Sequence, residues 1–177
     1  VRKFSDIWFF GFDLRLESYA AATGQEIGPD TLEPVILNIY EHAKTLKPGD
    51  FLAAMGILNA ARRQLAQFYE TYDIWLSPTT AKVSEPHGHY NLGRTDVDME
   101  NLVEELLAPP CQFTVPHNIM GTPAISLPLS MHSSGLPIGI QLGARPARED
   151  HLIQLAASLE GALPWQDRIP ALHVSNL

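Results

Sequence analysis

The sequence predicts a mixed α/β fold in which helices come first and a few strands follow under a covering helix. Three observations carry this. Apolar residues recur at helical spacing through most of residues 2–72, short apolar runs bounded by Pro or Gly begin at Ile74, and a last amphipathic segment closes the pattern at 148–163. Proline marks the change: three of the fourteen precede Pro78, and eleven fall from Pro78 onward.

Residues 2–22 predict one helix, with Phe4, Trp8, Phe12, Leu16 and Tyr19 near helical spacing. Ile7, Phe9, Phe10 and Leu14 spread apolar surface around further faces, so a buried helix is expected, broken by Gly24 and Gly28-Pro29. A second helix is expected over 31–46. Pro48-Gly49-Asp50 is expected to be a turn supplying an N-cap. A third helix then runs to about Tyr72 on a stripe of Leu58, Ala61, Leu65, Phe68 and Tyr72.

From Asp73 the period changes. Ile74-Trp75-Leu76 reads as a buried strand ended by Ser77-Pro78. Residues 79–97 have no periodicity, and a loop of that length is functional or mobile as a rule. A short acidic helix is expected over Met99–Leu107 behind Asp98, stopped by Pro109-Pro110. Phe113–Gly121 reads as a short helix, and Ala124–Leu129 and Ile138–Leu142 as strands joined by the turn-rich 131–135. The final helix has an acidic first turn, Glu149 and Asp150, and a stripe of Leu152, Leu155, Ala156, Leu159 and Leu163.

The length of 177 residues suits one domain. At 45% hydrophobic, 18% charged and a mean hydropathy of −0.04, the composition excludes disorder and fibrous repeats. No apolar run is long enough for a membrane-spanning helix. A net charge of −8, with no lysine after Lys82, argues against nucleic acid as a partner. The one cysteine, Cys111, excludes an internal disulfide and points to a reducing compartment, the cytoplasm. The chain begins at Val1, and four of its seven Phe fall within the first twelve residues. Termini are normally polar, so Val1 is expected to mark a boundary of the gene model or expressed segment rather than of a folding unit.

Few residues carry a chemical pattern. His87-Gly88-His89 with Glu85 could contribute metal ligands, but no HExxH pattern occurs, and solvated loop histidines are the expectation. Asp96, Asp98, Glu100, Glu104 and Glu105 lack the spacing of a calcium loop and read as a solvated face. Ser133-Ser134 beside His132 suggests a nucleophile, with Lys82 as its base, yet falls where a hairpin needs turn residues and is not in a G-x-S-x-G elbow. Cys111, before a short helix, is either a thiol at a helix N-terminus or an apolar filler. No metal and no cofactor is expected.

Residues 113–165 resemble the C-terminal part of the amidase signature family. The resemblance rests on Phe113-Thr114, Asn118, Gly121, Pro123-Ala124-Ile125-Ser126, Pro128, Gly135-Leu136-Pro137-Ile138-Gly139, Gln141, and the closing helix with Glu149 and Leu152. Asp73–Thr79 is similar to the family's preceding strand and Pro-Thr turn. Leu163-Pro164-Trp165-Gln166-Asp167-Arg168 is similar to the ending of its 6-aminohexanoate-cyclic-dimer hydrolases. Pro128 should then lie at an edge, a bulge or a strand end, and Gly135 and Gly139 where a tight turn and a close approach need them.

The resemblance implies an α/β fold that is the C-terminal portion of an amidase-signature mixed sheet covered by helices. Residues 1–72 would be a helical segment and 73–177 the strand-rich part of the same domain. It also implies amide hydrolysis by a Ser–cis-Ser–Lys triad, whose Gly/Ser-rich stretch and upstream lysine do not occur in these residues. The chain alone is therefore expected to be inactive. Its expected contribution is one wall of the acyl pocket, through Cys111, Phe113, Thr114 and Asn118, with ordinary packing as the alternative for each. The expected partner is a small amide substrate in the full-length enzyme, with homo-oligomerisation through exposed apolar surface as a further expectation. Two other readings stay open: a stand-alone non-enzymatic binding or self-associating module, and a metal-dependent hydrolase built on His87 and His89.

Overall fold

The computed structural model describes residues 2–170 and 172–174, with the side chains of Arg2, Lys3 and Phe4 outside the description. Val1 and the Phe4 side chain of the expected first stripe therefore lie outside the described residues. Four helices come first: α1 (Arg2–Phe9), α2 (Phe12–Thr23), α3 (Pro34–Ala43) and α4 (Pro48–Phe68). Strand β1 (Ile74–Pro78) follows, then a π-helical turn (Val103–Leu107), α5 (Ala108–Cys111) and α6 (Val115–Met120). Strands β2 (Ala124–Met131) and β3 (Pro137–Ala144) and helix α7 (Glu149–Ala162) complete the order.

The expected single helix over 2–22 is two helices. Gly11 sits at φ +74°, a left-handed conformation that costs glycine little and ends α1. Phe9 is buried, but α2 buries no residue, and Leu14 and Tyr19 stay largely exposed. The expectation of a buried helix thus fails for α2, which has too little of this chain against it. Asp50 is not the N-cap of α4. Lys47 holds that position, Pro48 starts the helix, and the Lys47 N–H donates to the Asp50 carboxylate at 2.8 Å. The stripe of α4 buries Leu58 and half-buries Ala61, Leu65 and Phe68, but the helix ends before Tyr72, which is exposed.

Pro109 and Pro110 do not stop the acidic helix. They occupy the first turn of α5, where a missing N–H is tolerated, and the π-helical turn before them absorbs the change in hydrogen bonding. The long loop is pinned: the Val35 N–H donates to the Leu92 carbonyl at 3.1 Å, and Asn38 Nδ2 to the Val97 carbonyl at 3.0 Å. Val97 is fully buried, joining Phe9, Val35, Leu102 and Leu106 in a helical core.

The sheet is antiparallel, in the order β1-β3-β2. A β-bulge interrupts the β2–β3 register between Leu127 and Ser130. Pro128 lies there, on an edge strand, so its missing N–H removes nothing from a regular ladder. Both strands run longer than expected, and Gly139 lies inside β3. A second core of Leu127, Leu142, Ala144 and Leu152 joins one face of the sheet to α7.

Candidate functional site

Residues paired directly across antiparallel strands share a face. Ile74, Leu76, Ile125, Leu127, Ile140, Leu142 and Ala144 therefore point together, and α7 packs against Ile74, Ile125, Leu127, Leu142 and Ala144 while Leu76 stays exposed. The opposite face carries Trp75 and Ser77 from β1, Gly139, Gln141 and Gly143 from β3, and Ser126 from β2. Apart from Trp75 that face is small or polar, and the segment from α5 through α6 lies over it.

Gln141 ties the two layers. It is buried, and its Nε2 donates to the Phe113 carbonyl at 2.8 Å and to Ser77 Oγ at 3.2 Å. Ser77 is itself buried and stands opposite Gln141 in the register. Beside this tie, Thr79 and Ser126 share a hydroxyl hydrogen bond of 2.5 Å across Gly139. A Cβ on Gly139 would stand 2.7 Å from Thr79 Oγ1 and 3.0 Å from Ser126 Oγ, so the pair closes only over glycine.

His117 from α6 presses on the same face. A Cβ on Gly143 would collide with its Cε1 and stand within 2.9 Å of both ring nitrogens. The Trp75 ring flanks the imidazole at 5.0 Å between centroids, and Thr122 Oγ1 bonds Nδ1 at 2.8 Å. Nε2 is buried with no hydrogen-bond partner among the described residues. Burial holds the His117 pKa below its ordinary value, which favours the neutral ring. Among the described residues no carboxylate bonds the ring, which separates the Thr122–His117 pair from a hydrolytic triad.

The four expected wall residues fall on this segment. Cys111 ends α5, and its carbonyl accepts from both the Thr114 N–H (3.0 Å) and Thr114 Oγ1 (3.1 Å). Phe113 is held through its carbonyl by Gln141, and Asn118 lies one turn on, its N–H donating to the Thr114 carbonyl at 3.2 Å. Cys111, Phe113 and Thr114 are half-buried, whereas Asn118 is exposed. Burial raises the Cys111 pKa, which keeps the thiol protonated rather than nucleophilic.

The remaining chemical patterns separate. Ser134 Oγ bonds His132 Nδ1 at 2.8 Å, but the Ser134 N–H donates to the same nitrogen at 3.2 Å, all in an exposed turn. Lys82 pairs instead with Glu85 at 3.5 Å. The acidic run is partly neutralised by Arg94, which bonds Asp96 at 2.6 Å and Glu105 at 3.0 Å and lowers the Asp96 pKa. Asp98 Oδ1 accepts from the N–H groups of Glu100 and Asn101. Among the described residues no three His, Cys, Asp or Glu are placed to share a metal ion, and no helix is long and apolar enough to cross a membrane.

Ser77, Thr79, His117 and Thr122 were not singled out as site residues by sequence reasoning. One signal was present: glycine or glutamine alternates with aliphatic residues along Ile138–Ala144, which assigns Gly139, Gln141 and Gly143 to one face.

A mixed α/β fold with this Phe-Thr…Asn…Gly-x-Pro-Ala-Ile-Ser segment laid over a small-residue sheet face has clear kin. The chain belongs to the amidase family, whose family model matches residues 3–153. It is 32% identical over 176 residues to the 6-aminohexanoate-cyclic-dimer hydrolase of Paenarthrobacter ureafaciens, covering 97% of this chain and 36% of that protein. It is 34% identical over 177 residues to the putative amidase AmiC of Mycobacterium tuberculosis (strain ATCC 25618 / H37Rv), covering 100% of this chain and 35% of that one. A solved structure of a 6-aminohexanoate cyclic dimer hydrolase complexed with substrate superposes with a TM-score of 0.78 at 30% identity, covering 93% of this chain and 35% of that chain. The chain thus spans about a third of the length of the curated relatives it matches.

Proposed function

We propose that this chain is the C-terminal portion of an amidase that hydrolyses the carbon–nitrogen bond of a small amide. The serine nucleophile, the bridging serine and the lysine lie outside these residues, and the complete enzyme works in a reducing compartment, the cytoplasm. Residues 1–72 and 73–177 belong to one domain, a reading supported by the helical core, which joins Phe9 and Val35 to Val97, Leu102 and Leu106.

The observation that carries the proposal is the Gln141 tie. One buried amide holds the turn containing Cys111, Phe113 and Thr114 against the polar sheet face. That turn carries a half-buried thiol, phenyl ring and hydroxyl, with the exposed Asn118 one helical turn on as donor and acceptor. That set suits a neutral amide better than an ion.

The intact mass of the protein in its source cells tests the proposal. The expected product is much heavier than 19.6 kDa and carries a Gly/Ser-rich stretch and a lysine ahead of residue 1. A native product of 19.6 kDa would overturn it. A second reading, self-association, is favoured by the exposure of Leu14 (65%), Tyr19 (60%) and Leu76 (65%). Light scattering tests that reading, and a monomer across the micromolar range excludes it.

A further inference from the structure

The two edges of the sheet are built differently. In the β1–β3 ladder the Thr79 N–H donates to the Gly139 carbonyl at 2.9 Å, so by antiparallel alternation Trp75 and Ser77 also turn their backbone groups toward β3. Ile74 and Leu76 turn theirs outward, where neither N–H nor carbonyl has a partner among the described residues. On the other side, the Ala144 N–H donates to the Pro123 carbonyl at 3.1 Å, which leaves Ala124 and Ser126 facing outward from β2.

Natural sheet edges are guarded against pairing by charges, bulges or proline. β2 is guarded by the bulge between Leu127 and Ser130 and by Pro128 within it. β1 has Pro78 only at its last position; before it the strand reads Ile-Trp-Leu-Ser, with no charge and no break in register. The faces of β1 agree with its edge. An apolar run of this kind belongs to a strand buried on both faces, yet Leu76 is 65% exposed, beyond the reach of the α7 layer that packs on Ile74.

About two thirds of an amidase of the matched length lies outside these residues. A second copy of the chain would pair only through the backbone groups of Ile74 and Leu76 and the Pro78 carbonyl, too few to offset the freedom lost when separate molecules associate. A segment of the same polypeptide is already held close by its covalent connection and loses far less.

We infer that a strand from the part of the enzyme preceding residue 1 pairs with the outer edge of β1, at Ile74 and Leu76, and that the same part covers the Leu76 side chain. This rests on the chain being a portion of a longer amidase, and it makes β1 an interior strand of the complete sheet.

Amide hydrogen exchange of the native full-length polypeptide, resolved to single residues, tests it. The Ile74 and Leu76 amides should be protected to within about tenfold of Trp75 and Ser77, which bond β3, and dilution should not change them. Exchange of Ile74 and Leu76 at the rate of exposed loops would overturn the inference. Protection lost as a dimer dissociates on dilution would overturn it too, and would assign the edge to a second copy. Leu76→Lys in the same polypeptide should lower the thermal midpoint or prevent folding, because lysine suits a free edge and not a covered one. A midpoint within about 2 °C of the parent, as for an ordinary surface substitution, would contradict the pairing. A native product of 177 residues would remove the amidase reading as well, whereas unprotected β1 amides in a longer polypeptide overturn this pairing alone.

Discussion

Replacing Gly143 with alanine should destabilise the chain through one identifiable collision. The new Cβ would enter the space of the His117 ring, coming within 2.9 Å of both nitrogens and closer still to Cε1. The ring has little room to retreat, since Trp75 flanks it at 5.0 Å and the 2.8 Å bond from Nδ1 to Thr122 fixes its orientation. Overpacking of this kind costs about 1–3 kcal/mol. Loss of the Thr122 bond as the ring swings aside adds about 1 kcal/mol. A total of about 2–4 kcal/mol corresponds to a fall of about 5–15 °C in thermal midpoint for a chain of this size. Thermal unfolding followed by circular dichroism measures it, and a double-mutant cycle with His117→Ala assigns the cause. With the ring gone the clash disappears, so the alanine should cost less than about 1 kcal/mol, helped by the better strand behaviour of alanine over glycine. An equal cost in both backgrounds, or a Gly143→Ala midpoint within about 2 °C of the parent, would refute the reasoning.

The His117 pKa is held below its unfolded value of 6.5, so the unfolded chain binds the extra proton first. Its stability contribution should be complete above about pH 6.5 and decline as pH falls from there toward the folded pKa; urea titrations should show this slope in the parent and a flatter one in His117→Gln. Gln141→Leu leaves the Phe113 carbonyl and Ser77 hydroxyl without their shared donor, at a cost of about 1–3 kcal/mol. Hydrogen exchange should then accelerate over residues 111–118 more than in α7. Cys111, half-buried and with a raised pKa, should react with iodoacetamide at pH 8 more slowly than free cysteine. A faster reaction would make it a nucleophile rather than a wall.

The legible parts of this fold were those with local causes. The stripe of α4, the acidic start of α7 and the short apolar runs of β2 and β3 arise from residues a few positions apart. Pro128 announced its own edge position because a missing N–H has few places to go. The break at Gly11 was less visible, since the aromatic residues around it continue a helical spacing that only the left-handed backbone interrupts. Pro109-Pro110 read as a stop because proline ends one helix and begins the next with the same chemistry. The contacts that build the site are long-range, and no local pattern specifies them. His117 meets Gly143 and Gln141 reaches Phe113 only once α6 lies across β3. Phe113, Thr114, Asn118 and Gln141 all stand in the motif, but the bond that joins Gln141 to the Phe113 carbonyl does not.

Reaction with a serine-directed fluorophosphonate tests the central claim most directly. The purified 177-residue chain, scored by intact mass, should gain no adduct at a concentration that saturates a serine amidase, and the native polypeptide containing it should gain one, on a serine outside residues 1–177. Stoichiometric labelling of the chain itself, at Ser133, Ser134 or any other serine, would contradict the account.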